Sequence, residues 1–184
     1  MILVVDCGSS KCPEITKMVI DFGFEVKEVK QEDLLNEDLD SFKAIVISGA
    51  PILLTEVNKT PYLARFRFLK DYVKPVLGIC FGHQILGMIN GAEIMRCKED
   101  RAIQQISMVA QSELFNGFAN TFEMEEDHCE CITIPENFEH LAHSQICENE
   151  AMKHKDKLHY GVQFHPEVSL ENGKQFFFNF LSLV

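Results

Sequence analysis

Short apolar runs alternate with helical periodicity through the first half of the chain. Residues 2–5 are apolar at every position and predict a buried strand, and the segment after Pro13 has apolar residues at helical spacing. The pattern then repeats, with three further strands predicted at 24–29, 44–47 and 75–79. A helix before the last of these begins at Thr60-Pro61, and one face of it carries Leu63, Phe66, Leu69 and Val73.

Strands that are apolar at nearly every position and are separated by helices imply a parallel sheet covered on both faces. The right-handed crossover rule then predicts a three-layer α/β sandwich with a mostly parallel central sheet. Binding sites in such sheets lie beyond the carboxyl ends of the strands. The loops that begin there start at Cys7, Ser48 and Cys80.

From about residue 92 the pattern shortens to strands and turns. Three strands are predicted, at 105–109, 138–142 and 158–164. The region from 110 to 157 is acidic and polar. A final helix from about residue 169 has an apolar stripe that predicts core packing, formed by Phe176, Phe177, Phe180, Leu181 and Val184. With 184 residues and no linker or repeat, the chain is predicted to form one domain, residues 1–184.

The charge of the chain narrows the range of partners. Lys and Arg number 17 against 28 Asp and Glu, a net charge of −11, which disfavours nucleic acid and anionic membrane surfaces. The seven cysteines are odd in number, no apolar leader is present and no apolar run reaches spanning length. We therefore expect a reducing cytoplasm.

The segment 78–87 places a cysteine between a buried strand and a helix. Strand, sharp turn and helix form the context of a nucleophile elbow, in which glycines such as Gly78 and Gly82 let two backbones approach closely. At a helix N-terminus the sulfur of Cys80 would be stabilised as a thiolate, and the N–H of Phe81 would be free to bind an oxyanion. The alternative is a buried structural cysteine, the usual role of a free cysteine.

A matching base follows a strand near the end of the chain. His165 could accept the thiol proton, and Glu167 could orient the imidazole through its other nitrogen. Pro166 restricts the backbone between them. Together with Cys80 these residues predict a Cys-His-Glu triad.

These motifs carry a family resemblance. Gly-Ile-Cys-Phe-Gly-His-Gln at 78–84, Gly-Val-Gln-Phe-His-Pro-Glu-Val at 161–168 and Ile-Ser-Gly-Ala-Pro at 47–51 resemble the class I glutamine amidotransferases, whose fold is flavodoxin-like. The run Glu-Ala-Met-Lys-His at 150–154 and the short chain are most similar to the glutaminase subunits of two-subunit GMP synthases.

The resemblance implies that glutamine is hydrolysed through a γ-glutamyl thioester on Cys80. His165 would deprotonate the thiol and protonate departing ammonia, with Glu167 orienting it. Gly49 and Phe81 would supply the oxyanion-binding N–H groups. Gln84 matches a position that helps to hold glutamine.

Ammonia would pass to a separate synthetase. The chain has neither a Walker-type loop nor the Ser-Gly-Gly-x-Asp-Ser loop of ATP pyrophosphatases, so ATP would be used by an ATP-dependent partner, one of the pyrophosphatase type for GMP synthesis from XMP. No cofactor is expected.

The sequence departs from the family in three places. Ala50 replaces the second glycine of the oxyanion loop, where an alanine resists positive φ. The segment 6–11 differs from the Asp-Asn-Gly-Gly-Gln of GMP synthases. At 125–131 the family often has Ser-His-x-Asp-Glu on the face that meets the synthetase, so a different partner stays open.

The same acidic segment raises the question of a metal. His128, Cys129 and Cys131 lack the usual zinc-ligand spacing and a distant second pair, so a solvated acidic loop without metal is predicted. Three other functions stay open: an amidotransferase subunit of the anthranilate synthase type, a γ-glutamyl hydrolase or peptidase-like enzyme, and a regulatory module without turnover.

Overall fold

A computed structural model describes residues 1–184, and its central element is a nine-stranded sheet. The strands of this sheet are β1 (Ile2–Asp6), β2 (Val26–Lys30), β3 (Ala44–Ile47), β4 (Val76–Ile79), β6 (Ile103–Met108), β7 (Thr121–Glu125), β9 (Phe138–His143), β10 (Ala151–His154) and β11 (His159–Val162). A separate two-stranded sheet pairs β5 (Ile94–Asp100) with β8 (His128–Ile132). The helices are α1 (Cys12–Asp21), α2 (Thr60–Phe66), α3 (Phe81–Ile89) and α4 (Leu170–Leu181).

The strand order of the large sheet is β2-β1-β3-β4-β11-β10-β9-β6-β7. The first five strands run parallel, in the order of a flavodoxin-like doubly wound sheet. The other four extend the sheet in antiparallel fashion. The predicted α/β fold is therefore confirmed, and the parallel half brings the ends of β1, β3, β4 and β11 to one edge.

Helices cover both faces of the sheet and make two cores. In β1, Ile2 and Val4 pack into the core that includes residues of α1 and α4, whereas Leu3 and Val5 pack into the core that includes residues of α3. Because successive strand residues point to opposite faces, a strand between two cores has to be apolar at every position. This arrangement explains the uninterrupted apolar runs and confirms the three layers.

Two details of the sequence prediction are wrong. The helix expected over 60–73 is regular only to Phe66, continues as a 3-10 turn to Lys70, and leaves Val73 75% exposed. The segment 125–131 is not a solvated loop. It contains the end of β7, a short turn and most of β8, and Glu126, His128 and Glu130 are all buried. In addition, none of the helices combines the length and the apolar character that crossing a bilayer requires.

Candidate active site

Cys80 occupies a strained turn between β4 and α3. Its φ of 50° and ψ of −102° lie outside the regions that L-residues favour. A side chain at Gly78 would place its Cβ 2.5 Å from the backbone of Gly82, and one at Gly82 would lie 2.6 Å from the Ile47 carbonyl oxygen. The two glycines therefore permit the crossing of strand and helix that presents the sulfur.

His165 and Glu167 follow β11 at the same edge of the sheet. The backbone N–H of His165 donates to the Glu125 carbonyl oxygen at 2.8 Å, which ties this turn to β7. The His165 Nδ1 lies 2.7 Å from Glu167 Oε1, and both side chains are buried. The imidazole and Cys80 line one pocket. Burial alone would lower the pKa of His165, but the neighbouring Cys80 and the Glu167 carboxylate raise it to about 10.

The loop after β3 adjoins both side chains. A Cβ on Gly49 would lie 3.2 Å from Cε1 of His165 and 3.6 Å from the Cβ of Cys80, so the backbone there approaches both side chains closely. The hydroxyl of Ser48 accepts from the Cys7 N–H and donates to the Gly49 carbonyl oxygen, each at 2.9 Å. The loop adopts no positive φ at Ala50, which removes the conformational objection to alanine in this conformation.

The pocket has a volume of about 410 Å³. Its wall includes the loop after β1, the residues that follow Gly49, and the start of β8. Lys11, Arg101 and Asp127 lie at this pocket, where Asp127 pairs with both cations; its distance to Arg101 Nη1 is 2.8 Å. The two cations lower the pKa of Asp127 although its partial burial alone would raise it. Groups of both charges thus surround the entrance.

Gln84 lies on the first turn of α3 and lines the same pocket. Its Nε2 donates to the Glu130 carbonyl oxygen at 3.3 Å and to Gln163 Oε1 at 3.1 Å. Both amide protons are therefore used inside the protein, and only Oε1 is left for a ligand.

Glu130 is a further residue of this region, and sequence reasoning missed its structural role. The Glu130 carboxylate accepts from the N–H of Leu54 at 2.9 Å and of Thr55 at 2.8 Å, and also from the Thr55 hydroxyl. It holds the loop that leads away from Ala50 against β8. No sequence signal within either segment indicates this pairing, because the partners are 75 and 76 positions apart.

Two donor clusters that could hold a metal meet at His128, a residue of the pocket wall. The first contains Cys97, His128 and Cys131, and the second contains Glu126, His128 and Glu150. Burial raises the pKa of Glu126 to about 8. Cys129 belongs to neither cluster, and its sulfur accepts from Nη1 of Arg96 at 2.9 Å.

The fold and this edge of the sheet define a class of protein: an α/β protein with a cysteine at a nucleophile elbow and a histidine–carboxylate pair beside it. A comparison with protein families matches residues 3–183 to "Glutamine amidotransferase class-I". The chain belongs to this family. The resemblance seen in its motifs is confirmed.

Individual relatives agree with this assignment. The glutamine-hydrolyzing GMP synthase subunit of Methanocaldococcus jannaschii is 34% identical and aligns over 98% of this chain and 95% of its own. The corresponding GMP synthase subunit of Methanococcus aeolicus is 41% identical over 78% of this chain and 75% of its own. A solved structure from Thermoplasma acidophilum, described as the same GMP synthase subunit, has a TM-score of 0.90 at 27% identity and covers 99% of this chain and 92% of its own. A Thermotoga maritima glutamine amidotransferase shares the fold, with a TM-score of 0.78 at 21% identity and coverage of 98% and 82%.

Proposed function

We propose that this chain hydrolyses glutamine to glutamate and ammonia through a γ-glutamyl thioester on Cys80. The carrying observation is the position of Cys80, at a strained elbow and beside the buried His165–Glu167 pair. His165 takes the proton of the Cys80 thiol as the sulfur attacks the carbonyl carbon of the glutamine side chain, and the tetrahedral oxyanion accepts from the N–H groups of Gly49 and Phe81. As the intermediate collapses, the C–N bond breaks and His165 gives its proton to the leaving ammonia.

Hydrolysis of the thioester uses the same groups in reverse order. His165, now neutral, takes a proton from water, the resulting hydroxide attacks the thioester carbon, and the C–S bond breaks to release glutamate. Glu167 holds the imidazole through Nδ1, which directs Nε2 to the reacting atoms. The raised pKa of His165 supports this role, because a protonated imidazole has the proton ready for the leaving group.

Glutamine suits the polar groups of the pocket. Its α-ammonium and α-carboxylate are complementary to an entrance that carries Asp127 together with Lys11 and Arg101. We propose that Oε1 of Gln84 accepts from the substrate, since its own amide protons are already bonded.

We propose that the ammonia passes to a separate ATP-dependent synthetase, of the ATP pyrophosphatase type, that converts XMP to GMP. The relatives named as glutamine-hydrolyzing GMP synthase subunits, at 34% and 41% identity, support this acceptor. We further propose that residues 1–184 act as one domain in a reducing cytoplasm, where seven free cysteines would stay reduced.

The division of labour can be tested with the complex of this chain and its synthetase. Cys80→Ala should abolish GMP formation from glutamine and leave GMP formation from added ammonium unchanged, because only the glutaminase step needs the sulfur. The ammonium reaction also serves as the control for assembly and folding. Equal loss of both activities would contradict the proposal.

Labelling separates a glutaminase from a γ-glutamyl hydrolase or peptidase-like enzyme. Diazo-oxo-norleucine should modify Cys80, and glutamine, but not γ-glutamyl peptides, should protect it. Cys80→Ser should lose the label, while the matched variant Cys129→Ser, at a second pocket-lining thiol whose sulfur accepts from Arg96, should keep it. Protection by peptides rather than by glutamine would favour the hydrolase.

A further inference from the structure

Two thiols and an imidazole converge beside the pocket where β5 and β8 pair, and the imidazole belongs to His128, which also lines the pocket. The sulfurs of Cys97 and Cys131 and a ring nitrogen of His128 all lie within 4.8 Å of one another. The distance from Cys97 Sγ to His128 Nδ1 is 3.6 Å. Tetrahedral zinc with ordinary bond lengths separates a ligand sulfur and nitrogen by about 3.6 Å and two ligand sulfurs by about 3.8 Å. The distance from Cys97 Sγ to His128 Nδ1 therefore equals the one expected in a site that holds zinc.

The orientation of His128 matches that of a metal-bound imidazole. Nδ1 lies 3.6 Å from Cys97 Sγ and 3.1 Å from the Glu130 carbonyl oxygen. On the other side of the ring, Nε2 lies 3.3 Å from Oε2 of Glu126, and the side chains of His128 and Glu126 are at least 99% buried. Neither Nε2 nor either Glu126 oxygen has a hydrogen-bond partner of good geometry. Metal-ligating histidines usually donate their second N–H to a carboxylate. A metal at Nδ1 would replace the contact with the Glu130 carbonyl oxygen and leave the ring proton on Nε2, directed at the carboxyl group of Glu126.

The charge of the three donors and the access of solvent to them also fit a metal site. Two thiolates and one divalent ion sum to zero, so that a loaded site would bury no net charge of its own. Cys97 is only partly buried, which gives an ion a route from solvent, whereas Cys131 and His128 are buried. The thiol of Cys147 neighbours that of Cys131 and is a candidate for the fourth donor.

We propose that Cys97, His128 and Cys131 form a binding site for Zn²⁺. Thiolate and imidazole ligands select this ion over Mg²⁺ or Ca²⁺, which prefer oxygen. The role of the site is structural. Residues 97–99 of β5 lie opposite the single residue 129 of β8, between the pairs Arg96–Glu130 and Asp100–His128, and the metal would tie the strands together at this break in register.

The test uses the full chain with Cys80→Ser, so that the catalytic thiol and His165 offer no competing site. The reduced, chelator-treated protein is titrated with Co²⁺ alone. We expect one equivalent to produce thiolate-to-cobalt absorption with the visible bands of a tetrahedral ion, and Zn²⁺ alone to bleach them. Zn²⁺ at a hundred times its Kd should raise Tm by roughly 5–10 °C. A saturated sample without these bands would overturn the proposal.

Variants locate the metal. Cys97→Ser and Cys131→Ser should each weaken Co²⁺ binding at least tenfold, and Glu126→Gln should weaken it by about tenfold through the orientation of His128. The control Cys129→Ser removes a thiol from the same strand and should bind as the parent does. Affinity unchanged by Cys97→Ser and Cys131→Ser, or lost in Glu150→Gln alone, would place the ion elsewhere and overturn this donor set. The parent spectrum decides the matter if a serine variant fails to fold.

Discussion

Replacing Glu130 by glutamine is expected to loosen the wall of the pocket. The carboxylate accepts three hydrogen bonds, one from Leu54 and two from Thr55, and it is 2% exposed. Glutamine keeps the shape but turns one oxygen into an NH₂ group. In either orientation of the amide, this group would face a backbone N–H, donor against donor.

The cost follows from the bonds that are lost. A hydrogen bond to a charged group contributes about 1.5–3 kcal/mol, so the loss of one such bond, with the others weakened to neutral ones, should reduce the free energy of unfolding by about 2–4 kcal/mol. For a chain of this size that corresponds to a fall in Tm of about 5–15 °C. Because residues 51–53 line the pocket, KM for glutamine should rise as well.

Urea unfolding and glutaminase kinetics of the complex would measure both effects. The control is Glu56→Gln, which removes a half-exposed carboxylate that pairs with Arg96 at the surface and should change stability by at most about 1 kcal/mol. If Glu130→Gln unfolded at the same urea concentration as the parent and kept its KM, the carboxylate would not hold this loop.

Two further predictions concern the elbow and the triad. Gly78→Ala places a Cβ 2.5 Å from the backbone of Gly82 and should cost about 1–3 kcal/mol in urea unfolding, together with most glutamine-dependent turnover; normal stability and turnover would refute the steric argument. Glu167→Gln removes one of the groups that raise the pKa of His165 to about 10, so imidazolium should be lost at a lower pH. The raised pKa of His165 adds to the free energy of unfolding: the contribution is complete below about pH 6.5 and is lost as the pH rises through about 10. Glu167→Gln should move this loss to a lower pH. An unchanged upper limb in the pH profile of Cys80 alkylation would exclude this coupling.

The parallel half of the fold was predictable because its signals are local and repeated. Each strand of β1, β3 and β4 is marked by its own apolar run, and the Gly-x-Cys-x-Gly pattern marks the turn at Cys80. The rule that sites lie at the carboxyl ends of parallel strands then brought Cys80 and His165 to one edge, although 85 positions separate them.

The antiparallel half was less predictable because its polar residues are satisfied by distant partners. Glu126 and His128 look like members of a solvated acidic loop, and only the pairing of β8 with β5 buries them and brings in Cys97, 31 positions from His128. The parallel half also contains one wrong prediction. Val73 has helical spacing, but the regular helix ends at Phe66 and leaves the Val73 side chain outside the core.

The backbone strain at Cys80 has a consequence for the order of events in turnover. The backbone torsions of Cys80, rather than a choice of rotamer, set the position from which its side chain projects. On the proposed function, an arriving glutamine would therefore meet a nucleophile that is already in place. Relaxing that torsion would require the crossing of β4 and α3 to come apart, which the packed core opposes. If the proposed function holds, a bound synthetase would change the rate through the loop after β3 or through the position of the substrate, and would leave the sulfur where it is.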